Sequence, residues 1–152
     1  MNRMQRLVVP AIAAVSLVAV AQEAAAPPEI SSRSYVNGTA RVLVTGSFQV
    51  NEVIAINTQA SFSDGEMTWL QFGVSGAETP NALVTVSPYE VGVTVARGKS
   101  LATAGAENCT GKMVVTADAV RGRYKCPGIT SHNPGVVTLG KVDIEIDFTA
   151  GS

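Results

Sequence analysis

From Tyr35 onward, apolar and polar residues alternate with a period of two, in short runs separated by turn residues. Side chains along a strand point to opposite faces in turn, so this pattern predicts strands with one buried face. The runs fall at 40–48, 52–57, 58–63, 66–75, 82–87, 89–96, 112–118, 122–126 and 141–149. Asp64-Gly65 parts two of them and is the strongest hairpin signal in the chain. Pro88 stops another, and the run after it puts Tyr89, Val91, Val93 and Val95 on one face. No stretch beyond residue 21 follows a helical period. Eight or nine short strands at this spacing predict an all-β, antiparallel fold. An immunoglobulin-like or related β-sandwich is the first expectation and a closed β-barrel the alternative.

The N-terminus breaks the pattern. Residues 1–6 carry Arg3 and Arg6 and no acid, and residues 7–20 are almost wholly apolar. Ala19-Val20-Ala21 then places small residues at the −3 and −1 positions of a cut before Gln22. This is the three-part layout of a secretory signal peptide. A second small-residue site at Ala24-Ala25-Ala26 leaves the cut open between Ala21 and Ala26. An uncleaved anchor is the rival, but the apolar run is about 14 residues, against roughly 20 needed to span a bilayer. No later segment is apolar enough to span. Residues 22–34, Ala-rich and then Pro27-Pro28, read as a flexible lead-in, and 35–152 as one domain.

Export changes how composition and cysteines are read. Without residues 1–21 the chain keeps 131 residues, enough for a real core. It then carries 9 basic and 12 acidic residues. That balance argues against a nucleic-acid surface, which needs clustered Lys and Arg. Cys109 and Cys126 are the two cysteines. In an exported chain such a pair predicts a disulfide. A redox-active or free pair is the alternative; a zinc site fails on ligand supply, with only these thiols and His132. A hairpin turning at Ala117-Asp118 brings 109 opposite 126, and closing that loop is worth roughly 3 kcal/mol.

Two charged stripes share the strand period. Asp143, Glu145 and Asp147 alternate with Val142, Ile144, Ile146 and Phe148, and Arg121, Arg123 and Lys125 alternate with Gly122, Tyr124 and Cys126. If the segments pair antiparallel, 125 can meet 143, 123 meet 145 and 121 meet 147, a ladder of opposite charges. A calcium site is the functional alternative, but a straight stripe diverges where calcium needs converging oxygens.

Trp69 is the candidate binding residue. Leu70, Phe72 and Val74 share one face, and Met67, Trp69, Gln71 and Gly73 share the other. If the first face is core, the sole tryptophan stands beside a glutamine and a glycine on the outer one, where aromatics bind sugars or protein partners. The bland alternative packs Trp69 under a loop or the lead-in. His132 lies in Ser131-His132-Asn133-Pro134-Gly135, a loop by composition, with no nucleophile motif around it. There is no Gly-x-Ser-x-Gly elbow, and no acid pair can be singled out for glycosidase chemistry. Asn37-Gly38-Thr39 and Asn108-Cys109-Thr110 fit the glycosylation pattern, which matters only in a eukaryotic secretory route.

Three segments carry a resemblance: Asn108-Cys109-Thr110-Gly111, then Gly122-Arg123-Tyr124-Lys125-Cys126-Pro127-Gly128, then residues 140–150. Their strand and cysteine spacing resembles the C-terminal halves of small exported actinobacterial antigens and lipoproteins, over about 45 residues. The chain departs from them in lacking a lipid-anchoring cysteine, so the resemblance implies export without lipid tethering. It brings no catalytic residues. The expected function is a non-enzymatic binding or cell-surface domain, without cofactor or metal, for a protein, glycan or small apolar ligand. The alternatives are a subunit that assembles by strand addition and a carrier of an apolar molecule inside a barrel.

Overall fold

The computed structural model describes residues 31–87, 90–133, 135 and 140–152. The segment read as a signal peptide, most of the expected lead-in, and Tyr89 lie outside the described residues. The strands are β1 (Arg33–Ser34), β2 (Asn37–Gly46), β3 (Val50–Ala55), β4 (Phe62–Ser63), β5 (Thr68–Phe72), β6 (Asn81–Val86), β7 (Val91–Arg97), β8 (Ser100–Ala104), β9 (Thr110–Val115), β10 (Ala119–His132) and β11 (Gly140–Gly151). A 3-10 turn, Ala106–Asn108, joins β8 to β9. No helix among the described residues is long and apolar enough to cross a membrane.

All pairings are antiparallel, and the strands form one strongly curled sheet, a half-barrel. The expected sandwich would divide them between two sheets, but hydrogen bonding runs unbroken from β1 through β4-β5-β6-β7-β8-β10-β11-β2 to β3. Two features make the curl. Long β10 carries β8 and β9 one after the other along the same edge, and pairs with β11 along the other. Near the far end, Ile56 bridges Phe72, with Asn57 N–H donating to the Gln71 carbonyl at 2.7 Å, so the chain leaving β3 turns back onto β5.

The curl closes around one core. Tyr35, Leu70, Phe72, Ile144, Ile146 and Phe148 are its largest fully buried side chains. Phe148 sits at its centre, with its ring 6.1 Å from Phe72 and 6.3 Å from Tyr124. Gly122 lies opposite Phe148 in the β10–β11 ladder, and the missing side chain leaves room for that ring. Each such side chain contributes about 1.5–3 kcal/mol by leaving water.

The expected lead-in is partly built into the fold. Arg33–Ser34 pairs with β4, Tyr35 is fully buried, and Arg33 Nη1 donates to the Thr116 and Ala117 carbonyls at 3.2 and 2.8 Å. His132 is not in a loop. It ends β10, exposed, opposite Leu101 of β8. Val74 is not core. Gly73 adopts φ +75, β5 stops before it, and Val74 is exposed.

Candidate binding surface

The local hairpins set the surface up. β9 and β10 turn at Ala117-Asp118, with Thr116 N–H donating to the Ala119 carbonyl at 2.8 Å. The resulting register brings Cys109 to Cys126, and the two form a disulfide with Cα atoms 4.1 Å apart. Cys126 faces the core, and Cys109 opens into a cleft of about 320 Å³ between β9 and the ends of β6 and β7. Val86, Val91, Met113 and Tyr124 also line this cleft. Burial raises the pKa of the Tyr124 phenol.

The charged stripes do meet, but two residues away from the expected register. Arg123 lies opposite Asp147 and Lys125 opposite Glu145, while Arg121 faces Thr149. Arg123 hydrogen-bonds Asp147, and Lys125 Nζ lies 3.0 Å from Glu145 Oε1. That hydrogen bond, and then the charge of Asp147, raise the Arg123 pKa. Asp143 has no cation opposite. It accepts the Gly128 N–H at 2.7 Å, inside a β-bulge where the register shifts between Cys126 and Ile129. An extra residue on β10 leaves a backbone donor without a ladder partner, and Asp143 satisfies it. Among the described residues no group of three His, Cys, Asp or Glu could hold a metal ion.

Around the Asp64-Gly65 turn the register also differs from a two-residue hairpin. Ser63 pairs with Thr68 and Phe62 with Trp69, so residues 64–67 form the loop. Asp64 shapes it: Oδ1 accepts the N–H of Glu66 at 2.9 Å and of Met67 at 2.8 Å. These two bonds, the one from Met67 first, lower the Asp64 pKa. An Asp that accepts from backbone two and three residues on is a known turn former, and that signal could have located the partner the sequence reading missed. That partner is Phe62, stacked on Trp69 with ring centroids 4.8 Å apart. Phe62 is 43% exposed and Trp69 half-buried.

Strand parity then divides the outside of the sheet into two halves. On β9, β10, β11 and β2, the outward residues include Lys112, Arg121, Arg123, Lys125, Asp143, Glu145, Asp147 and Arg41. On β4 to β8 they are Phe62, Trp69, Gln71, Leu83, Thr85, Gly92, Thr94, Ala96, Leu101 and Thr103, none of them charged. Gln71 Nε2 donates to Ser75 Oγ at 2.9 Å, and the Thr94 and Thr103 hydroxyls meet at 3.1 Å. Met67, Thr85, Glu90, Gly92 and Thr103 line a depression of about 170 Å³.

No protein-family model matches the chain, and neither a curated protein nor a solved structure matches it.

Proposed function

We propose that the chain is an exported, non-enzymatic binding domain that engages its ligand through the uncharged outer face of β4 to β8, centred on Phe62 and Trp69. Residues 1–21 would direct export and be removed, and the Cys109–Cys126 bridge suits an oxidising compartment. One observation carries the reading. A stacked Phe–Trp pair stands beside outward strand positions of β5 to β8 that carry no charge, while the outward positions of β9, β10, β11 and β2 carry charge of both signs. Exposed aromatic clusters in a setting depleted of charge are what binding surfaces use as anchors.

Three features favour this over strand addition and over an internal carrier. β11, the strand with the strongest alternation, is hydrogen-bonded on both sides by β10 and β2. Edge strand β3 carries Glu52 in register with its buried Val50 and Ile54, an inward-pointing charge of the kind that discourages another strand from joining. The interior is filled by large side chains.

The test is retention of purified 22–152 on envelope and extracellular material of the producing cells. Retention should be strong for the parent and for Arg123→Ala, and lost in Phe62→Ala and Trp69→Ala. Equal retention of all four proteins, or none, would sink the assignment of the face. A mature mass that still includes residues 1–21 would sink the cleavage.

A further inference from the structure

The geometry points to a neutral polysaccharide as the ligand of this face, laid across β4 to β7 from the Phe62–Trp69 pair to the depression at Gly92. The inference rests on the binding-domain reading and narrows it to one chemistry.

A pyranose ring has an apolar C–H face and a rim of hydroxyls. It asks for an aromatic or flat apolar surface, neighbouring hydroxyl and amide groups, and no ion pairs. Phe62 and Trp69 supply the aromatic surface. Beside them, Trp69, Thr85 and Gly92 follow one another straight across three strands. Gly92 contributes no side chain, so the row drops from an aromatic ring, past a hydroxyl, into a shallow floor. A Cβ built on Gly92 would lie 2.6 Å from Thr85 Oγ1, so the floor exists because this residue is glycine. The Thr85 hydroxyl reaches the Gly92 carbonyl only at 3.5 Å, a long and weak bond. It is thereby placed to exchange that contact for a sugar hydroxyl. Thr103 on the next strand and Glu90 line the same depression, and a hydroxyl and a carboxylate both accept from sugar hydroxyls.

The spacing fits as well. Neighbouring strands lie about 4.8 Å apart, close to the repeat of a β-linked pyranose chain. A chain running across the strands sets successive rings over β4–β5, β6 and β7. Charge argues in the same direction. An anionic polysaccharide would gain nothing from outward positions that hold no cation, and would meet Glu90 in the depression. A protein partner is commonly steered by charge of both signs around an aromatic centre, whereas the charged groups next to this pair, Asp64 and Glu66 of the 64–67 loop, are acidic alone.

The sole tryptophan makes the test direct, because fluorescence reports from Trp69 alone. Purified 22–152 is titrated with cello-, manno-, xylo- and maltohexaose, and is co-sedimented with the corresponding insoluble polysaccharides. Polygalacturonate and dextran sulfate serve as charged probes. The expected result is a saturable fluorescence change with at least one neutral hexasaccharide, insensitive to salt because no ion pair forms. Co-sedimentation should weaken about tenfold or more in Phe62→Ala and Trp69→Ala. Gly92→Ala should weaken it too, and Arg123→Ala should leave it unchanged. Melting curves identify any variant that has lost its fold, and Gly92→Ala, which needs only a Thr85 rotation, keeps the test open if an aromatic variant unfolds. Absence of binding to every neutral probe overturns the inference, as does salt-sensitive binding to the polyanions alone. If the neutral probes fail while Phe62 and Trp69 still control retention on cell material, the sugar is wrong and the binding face stands. If retention also ignores these residues, both fall.

Discussion

Reducing the Cys109–Cys126 bridge should cost the domain about 3 kcal/mol. The two cysteines are 17 residues apart, and the loop-closure relation at that length gives about 3 kcal/mol of unfolded-state entropy near room temperature. For a domain of this size each kcal/mol moves the melting temperature by about 3–5 °C, so the expected fall is about 10–15 °C. Structure adds a spatial prediction. Among the described residues β9 pairs only with β10, and the bridge holds its first end. Reduction should therefore speed amide exchange first in β9, while β11, paired on both sides, keeps its protection. Thermal melts with and without reductant, paired with hydrogen exchange read peptide by peptide, test both parts. The Cys109→Ala/Cys126→Ala variant should melt near the reduced parent, slightly lower because Cys126 is fully buried and the change removes a packed sulfur. A reduced protein that melts within about 3 °C of the oxidised one would refute the reasoning. It would mean that the Ala117-Asp118 hairpin already holds these ends together in the unfolded chain.

Gly122→Ala should destabilise by about 1–3 kcal/mol, because its Cβ would lie 2.6 Å from Phe148 Cε1 at the centre of the core; a urea unfolding curve unchanged from the parent would contradict that packing. Arg123→Ala should leave the melting temperature almost unchanged, since both partners are about half or more exposed, and a double-mutant cycle with Asp147→Ala measures the coupling. The same cycle on Arg121 and Asp147 should give none, which tests the register directly. Asp64 is held below its ordinary pKa in the folded chain, so its contribution is present above the unfolded value near 3.8 and is lost as pH falls through the folded value. In Asp64→Ala the acid limb of the stability profile should flatten over that window; an unchanged limb would remove the side chain from the turn.

Local order was legible along the chain and long-range order was not, for a physical reason. Period-two alternation follows from side chains pointing to opposite faces of a strand, so it exposes strands and their buried faces without reference to partners. It located the cores of β2, β3, β5, β6, β7, β9 and β11. It also brought Cys109 to Cys126, because a two-residue turn fixes the register of a hairpin. It overlooked β8, whose inward residues Ala102 and Ala104 are too small to mark a period. It ended β10 at Cys126, because the bulge at Pro127-Gly128 inserts a residue and moves the inward positions from Tyr124 and Cys126 to Ile129 and Ser131.

The candidate surface divides the same way. The outward place of Trp69, and the shared face of Arg121, Arg123 and Lys125, are parity facts that the chain alone determines. Which residue stands opposite each of them depends on loops and bulges that parity cannot count, so Phe62 beside Trp69 and Asp147 beside Arg123 came only from the folded sheet. Whether the strands make two sheets or one is decided later still. It rests on β10 being long enough to hold β8 and β9 on one edge, and on Ile56 meeting Phe72. The same curl gathers the uncharged outward positions of five separate strands into one face, which none of those strands announces by itself.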